Sequence, residues 1–498
     1  MKQIYKIKIS VIALAALFML SSCDDSFLET TPTGAISEET VSSTLDGLYI
    51  ALNGIHRKMV SQDLSNQGLG GEPGFIIGRE AHGDDMTWDT QTWHQTHHTW
   101  AINTNASSAY NYGVWNTYYQ FILNANKILE NLETKYAGST EPLAAQIKGE
   151  CLAIRGWAHF QLVQYYAKRY AAGAVNNQLG VPYRESSEVT EMARNTVEEV
   201  YTRINRDLTA AATLLEGYNP AVNHYSPAVV AGLRARVALT QQNYPEAATQ
   251  AVLAINLAKA NGKSIMKQAE LMNGFANITT ATKEALYAAI TQDDQTVYFY
   301  SFYAYMSWNF NSSSIKTGIK CISQSTYDLM SPTDLRRQWW DPTGTAAVPT
   351  VSTYNKRVYQ NRKFTARSTA DAVGDFAFMR ISELYLIAAE AYARSGQDTP
   401  AKTYLQELIA ERDPGYTDSG NTGTALAEEV MNHRRIELWG EGFRWFDLKR
   451  LNLPLYRTGS NFKESFCGFL EKQPTDNGWY YEIPKAETDY NTLMEKNY

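Results

Sequence analysis

ARVALTQQNYPEA (residues 235–247) is answered 154 positions later by AEAYARSGQDTPA (residues 389–401), so that Ala235, Ala238 and Ala247 correspond to Ala389, Tyr392 and Ala401. Small residues at this spacing let two helices approach closely. Each set therefore predicts a helix–turn–helix whose faces are buried against a neighbour of the same kind. Other stretches carry apolar residues at helical period. Val114–Leu132 places Trp115, Tyr118, Tyr119, Ile122, Leu123, Ile128 and Leu129 on one face. Gly149–Tyr170 is a second such stretch, and Val197–Leu215 is a third, entered through Asn195 and Thr196 with Glu198 and Glu199 in its first turn.

The spacing of the repeated pair resembles tetratricopeptide repeats, in which stacked helix pairs build one continuous core. The predicted fold class is mainly α. Tetratricopeptide-like helix pairs form a scaffold, with long loops and short strands on the ligand face. The loop material is residues 62–112 and 291–375, rich in Gly, Asn, Ser, Thr, Asp and aromatics and poor in aliphatics. Loops of that length in a compact chain are usually functional.

The N-terminus reads as an export signal. Lys2, Lys6 and Lys8 precede an apolar run from Ile9 to Leu20 that is too short for a confident membrane span. Leu20-Ser21-Ser22-Cys23 resembles the lipobox of bacterial lipoproteins, which implies cleavage before Cys23 and lipidation of its thiol (palmitate among the acyl chains). Without residues 1–22 the chain has 476 residues and a formal charge of −10. Such an acidic chain lacks the basic footprint of nucleic-acid binding. The 32 Tyr and 11 Trp of the full sequence exceed ordinary core needs and suit a binding surface. Beyond Cys23 only Cys151, Cys321 and Cys467 remain, so not all can pair, and Cys151 reads as a buried free thiol.

Residues 434–450, RRIELWGEGFRWFDLKR, are similar to the segment that most clearly marks the SusD/RagB family of nutrient-binding lipoproteins. Met379–Ala391 resembles that family's conserved helix. Tyr327, Asp334, Arg336 and Arg337 resemble the opening of its C-terminal half, and Ile483, Pro484, Glu487, Asn491 and Asn497 its closing motif. The resemblance implies a signal peptide at 1–22, a lipidated tether at 23–45, an N-terminal half at 46–225, a tetratricopeptide-like pair at 226–280 and a C-terminal half at 281–498. It also implies a lipid-anchored protein of the outer membrane facing the cell exterior. Such a protein captures oligosaccharide and acts as a lid for a SusC-like TonB-dependent transporter. Peptide capture, as in the RagB branch, and surface adhesion without transport are the alternatives. Within 434–450 the charges Arg435, Glu437, Glu441, Arg444 and Asp447 are spaced for pairing on neighbouring turns. Ile436, Trp439, Phe443 and Phe446 are spaced as an apolar stripe.

Ligand-binding residues are sought in two aromatic clusters. TWDTQTWHQTHHTW (residues 87–100) contains no aliphatic residue, which makes Trp88 and Trp93 expected exposed platforms for the C–H face of a pyranose. Covering ~50–100 Å² of sugar on each contributes about 1–2.5 kcal/mol, which favours micromolar to millimolar affinity. The second cluster places eight aromatics between Tyr298 and Phe310, with Tyr298, Tyr300 and Phe302 sharing one face if the segment is extended, and Trp308 close by. Arg79, Asp84, Asp85 and Asn309 are the polar partners expected for hydroxyl groups. His94, His97 and His98 with Asp84, Asp85 or Asp89 have the chemistry of zinc ligands. Loop histidines serve equally as hydrogen-bonding edges beside sugars, and no metal or cofactor is expected.

No catalytic motif emerges. None of the eight histidines is followed by glutamate, which excludes His-Glu-x-x-His, and Gly-x-Ser-x-Gly is absent. Leu257 replaces the first glycine of a phosphate loop ending at Gly262-Lys263-Ser264, and Pro73 replaces the third glycine of a dinucleotide fingerprint. The expectation is a binding protein and not an enzyme.

Overall fold

The computed structural model describes residues 38–64, 66–272, 275–292, 300–345 and 356–498. The signal, Cys23 and Tyr298 lie outside these residues. The chain divides into two compact units, residues 1–51 and 52–498. In the first, the described residues form a short helix, Glu38–Val41, and the opening of the helix Leu45–Lys58, where Thr44 Oγ1 accepts the Gly47 N–H at 3.0 Å.

The second unit is built on a ladder of helices. Ala109–Lys135 packs on Pro142–Tyr166, which packs on Val197–Leu214, and this in turn meets Pro227–Thr240. Pro227–Thr240 pairs with Tyr244–Ala260, which packs on Ile381–Arg394, and that helix contacts both Asp398–Ile409 and Gly423–Glu437. The two repeated motifs are thus two helix pairs stacked on one another. Ala235, Ala247, Ala389 and Ala401 are fully buried at their contacts. The tetratricopeptide-like reading is borne out.

Local sequence explains the helix ends. Thr196 and Glu199 form the reciprocal capping box that opens Val197–Leu214. Pro142–Tyr166 is buried on every side from Gly149 onward, as expected of a helix lying in the middle of the ladder. Gly149 is needed there, since a Cβ would stand 2.7 Å from Leu215. The closing motif ties the C-terminus to the N-terminal half: Trp115 donates to Glu487, Asn491 to the Met192 carbonyl, and Asn497 to the Tyr166 carbonyl.

One expectation fails outright. Residues 71–82, within a stretch read as loop, form a helix, Gly71–His82, with every residue buried. Its glycines look like helix breakers in sequence, but they serve close packing. A Cβ on Gly78 would meet the His97 ring at 2.7 Å, and one on Gly74 would meet the Gly68 carbonyl at 3.0 Å.

The remaining loops are joined by a small antiparallel sheet of two-residue strands. Met86–Thr87 pairs with Cys321–Ile322, which pairs with Gln360–Asn361, which pairs with Trp340–Asp341. Met86 stands opposite Ile322 and Thr87 opposite Cys321, so the segment that leads into Trp88 runs alongside the middle of the chain. Cys151, Cys321 and Cys467 are all buried and free. No helix among the described residues is long and apolar enough to cross a membrane.

Candidate functional site

The segment 434–450 proves to be an electrostatic hub, but its charges reach far beyond neighbouring turns. Arg435 pairs with Asp85 at 2.6 Å and Arg444 with Asp84 at 2.6 Å. Glu437 is shared by Arg412 at 2.9 Å, Arg380 at 3.2 Å and Arg336 at 3.3 Å, while Glu441 holds Lys363 at 2.7 Å and Arg380 at 2.8 Å. Only Asp447 pairs within the segment, with Arg434 and Arg450, both at 2.8 Å. Burial alone would raise the Glu437 carboxyl, yet Arg412, Arg380 and Arg336 hold it well below the usual range. It stays ionised and has no proton to give. In the apolar stripe Trp445, not Phe446, is the fully buried ring.

This hub corrects the expected polar partners. Asp84 and Asp85 are buried in ion pairs with Arg444 and Arg435, and the Asp84 carboxyl, which burial would raise, is pushed down to about 2 by those arginines. Arg79 is buried too. It pairs with Glu72 at 2.7 Å and donates to the Tyr118 and Tyr165 hydroxyls, where it borders a cavity of about 70 Å³. Asn309 turns inward, donating to the Ala366 carbonyl at 2.9 Å and accepting the Ala366 N–H at 2.8 Å. These four side chains are spent inside the protein.

The second aromatic cluster is corrected likewise. Phe302–Met306 is a helical turn, not an extended strand, and all five residues are buried in the core. Tyr300 is half-buried, with its carbonyl packed against Gly70. Trp308 is half-buried, with its indole N–H on Thr365 Oγ1 at 2.8 Å and Arg362 over its ring.

The two tryptophans of residues 87–100 part company. Trp88 is 4% exposed, lying under Lys320, whose amine is 3.9 Å from the ring centroid, and edge-on to His98 at 4.3 Å. The expectation of an exposed platform fails here because Lys320 arrives from distant sequence and His98 folds back onto the ring from the same stretch. Trp93 is 40% exposed. Its neighbours explain why. Thr92 accepts the Lys320 amine at 3.2 Å and packs on Gly318, where a Cβ would stand 2.2 Å from its methyl carbon. His94 takes a left-handed backbone, φ 71°, and turns its ring inward against Tyr305, 5.3 Å between centroids. With both flanking side chains drawn into the protein, the indole between them faces solvent.

Trp93 borders an open depression of about 370 Å³ together with Gln91, Thr92, Ser313, Ser314 and Thr317. The serines and Thr317 belong to the short helix Ser313–Gly318, capped by Ser312 Oγ, which accepts the Ile315 N–H. An aromatic face ringed by hydroxyls and an amide can pack apolar C–H groups while hydrogen-bonding their polar rim. The helix residues were missed in the sequence, where a serine run signals only a polar loop. A second concavity of about 370 Å³ lies between Lys168, Arg169, Asn477 and Tyr480.

The loop histidines do not gather aspartates. His94 faces Tyr305, His97 faces Tyr110 at 4.7 Å, and His98 faces Trp88, while Asp89 is held by Arg357 and Lys463. Among the described residues the set that brings imidazole and carboxylate together is His56, Glu150 and His224.

The fold and its loop-built depression define a tetratricopeptide-like scaffold with an exposed aromatic on its loop face. Comparison with known proteins narrows this. Residues 74–239 match the SusD-like family model described as "Starch-binding associating with outer membrane". SusD-like protein P2 of Formosa agariphila is 24% identical, with 99% of each chain covered. The solved structure of a SusD-like carbohydrate binding protein from Bacteroides vulgatus superposes with a TM-score of 0.77 at 22% identity, covering 91% of this chain and 97% of that one. A SusD superfamily protein from Bacteroides thetaiotaomicron gives 0.77 at 23%, covering 91% and 100%. The chain is thus similar to SusD-like proteins in sequence along its length and shares their fold, in line with the resemblance of 379–391 and 434–450.

Proposed function

We propose that this protein captures oligosaccharide at the cell surface, with Trp93 as the platform on which a pyranose stacks. The observation that carries the reading is the exposed Trp93 indole beside the free edge of Gln91 and the hydroxyls of Ser313, Ser314 and Thr317. The SusD-like family's description as starch-binding supports carbohydrate as the cargo class. A shallow, open depression suits a ligand that must be handed on, since one or two stacking contacts leave binding modest.

In this reading Cys23 carries the lipid anchor, which requires more than one acyl chain for stable attachment. The helical ladder docks on a SusC-like TonB-dependent transporter, and the loop face meets the glycan. The protein acts by binding and release and not by bond cleavage. The test is isothermal titration against a panel of polysaccharides, with Trp93→Ala alongside. Binding to one glycan class, lost in the variant, supports both cargo and site. Binding unchanged in the variant moves the site to the region of Tyr300 and Trp308. Binding of peptides in place of glycans would overturn the cargo.

A further inference from the structure

Glu150 lies in the buried helix Pro142–Tyr166, and its side chain is wholly enclosed. Two histidines from distant parts of the chain converge on it: His56, on the helix Leu45–Lys58, and His224, in the loop ahead of Pro227–Thr240. His56 Nε2 is 3.0 Å from Glu150 Oε2, and His224 Nδ1 is 3.1 and 3.2 Å from the two carboxylate oxygens. One donor atom from each residue lies within 4.8 Å of the others, and all three residues are buried. None of them borders the Trp93 depression.

We propose that His56, Glu150 and His224 form a divalent transition-metal site, with zinc the ion the donor set suits best. Two imidazole nitrogens and a carboxylate are ligands zinc accepts, at about 2.0–2.2 Å each. In a tetrahedron of that size neighbouring donors stand about 3.3 Å apart, close to the two imidazole–carboxylate separations, while the set as a whole spans up to 4.8 Å and closes on binding an ion.

The hydrogen bonds around the triad supply a ligand imidazole with an outer partner. His56 Nδ1 is 2.9 Å from the Tyr287 hydroxyl, and that oxygen is 2.8 Å from Met59 Sδ. A phenol has one hydrogen to donate. When Tyr287 donates that hydrogen to Met59, His56 Nδ1–H donates to Tyr287 and turns the Nε2 lone pair toward Glu150, the tautomer a metal ligand needs; when Tyr287 donates to His56 instead, Nε2–H donates to Glu150 and the triad closes without an ion. Metal-bound histidines use the first arrangement, one nitrogen on the ion and the other donating to an outer partner. The Tyr225 N–H, 2.9 Å from Glu150 Oε2, fixes the carboxylate in place. The site joins two helices, the strand Ala285–Ala289 that carries Tyr287, and the His224 loop, and so acts as a staple.

The test uses the full chain purified in detergent from zinc-supplemented medium. Elemental analysis is expected to find about one zinc per chain, and cobalt added after chelation is expected to give the visible bands of a low-coordinate site. Glu150→Gln and His224→Ala should weaken cobalt binding at least ~10-fold, and Tyr287→Phe by about 10–100-fold at unchanged stoichiometry. His224→Cys should retain the ion. The proposal is overturned if the unaltered chain holds no zinc, shows no cobalt bands and melts identically with and without chelator. The triad would then be a hydrogen-bonded knot only. Metal binding that survives Glu150→Gln undiminished would also overturn it. If the ligand variants fail to fold, the unaltered chain and Tyr287→Phe still decide.

Discussion

Lys320 Nζ stands 3.9 Å above the centre of the Trp88 indole. The same amine donates to Thr92 Oγ1 at 3.2 Å, so one lysine from the middle of the chain holds both the root of the loop and the residue beside its exposed tryptophan. Trp88 is the buried foundation, and in the proposed reading Trp93 is the platform. That reading separates the residue that stabilises the site from the one that meets ligand.

The first prediction sets these two residues against each other. Trp88→Ala removes a buried ring and should cost ~3–5 kcal/mol of stability, read as a fall in the chemical-denaturation midpoint. Trp93→Ala should leave that midpoint within about 0.5 kcal/mol of the original while weakening glycan binding by roughly 5–70-fold, the equivalent of ~1–2.5 kcal/mol.

Lys320→Met tests the link between them. Burial pushes the Lys320 amine down to about 7, so the charge is expensive where it sits. The variant should melt no lower than the unaltered chain. Loss of the bond to Thr92 should nonetheless loosen the platform and weaken glycan binding about 5-fold, the worth of ~1 kcal/mol. An unchanged affinity would show that Thr92 is held without the lysine.

Acid should destabilise the protein before carboxylates begin to protonate. Burial pushes His82 and His433 down to about 4 and His94 and His159 to about 3, from an ordinary value of 6.5. Between pH 6.5 and those values the unfolded chain binds protons that the folded chain refuses. Stability present above pH 6.5 is therefore lost progressively as the pH falls toward 4, by up to about 1.4 kcal/mol per pH unit for each histidine. Thermal melts at pH 7, 6 and 5 should descend in that order, and His159→Gln should flatten the slope.

The hub of ion pairs predicts a structural phenotype. Glu437→Gln leaves Arg412, Arg380 and Arg336 buried with too little compensating charge, at a cost of ~3–5 kcal/mol. Denaturation should show the loss, while glycan affinity of the folded fraction stays within about twofold.

Helical period and small-residue spacing carried the scaffold legibly in the sequence. Ala235, Ala238 and Ala247 announce a helix pair because close packing leaves no room for larger side chains at those positions. The helix Gly71–His82 was illegible because Gly74 and Gly78 satisfy distant neighbours, the Gly68 carbonyl and the His97 ring, and a local reading sees only breakers. Trp88 misled for a related reason. A tryptophan with no aliphatic neighbour in sequence still finds a core when a lysine arrives from the middle of the chain and a histidine of its own loop folds back on it. Arg79, Asp84 and Asp85 have the chemistry of sugar ligands, but the arginine partners of Asp84 and Asp85 lie 360 and 350 residues away, and Arg79 pairs with Glu72 on a helix that the sequence did not announce. Trp93 was legible as an aromatic in a polar loop. Its partners on Ser313–Gly318 became evident only when the pairing of Met86–Thr87 with Cys321–Ile322 brought the two loops together.

The most direct test of the account is isothermal titration of the detergent-purified chain against a polysaccharide panel, with Trp93→Ala and Trp88→Phe measured in parallel. The account predicts micromolar-to-millimolar binding of one glycan class, lost in Trp93→Ala and retained in Trp88→Phe. Binding that survives Trp93→Ala undiminished, or no glycan binding beside measurable peptide binding, would contradict it.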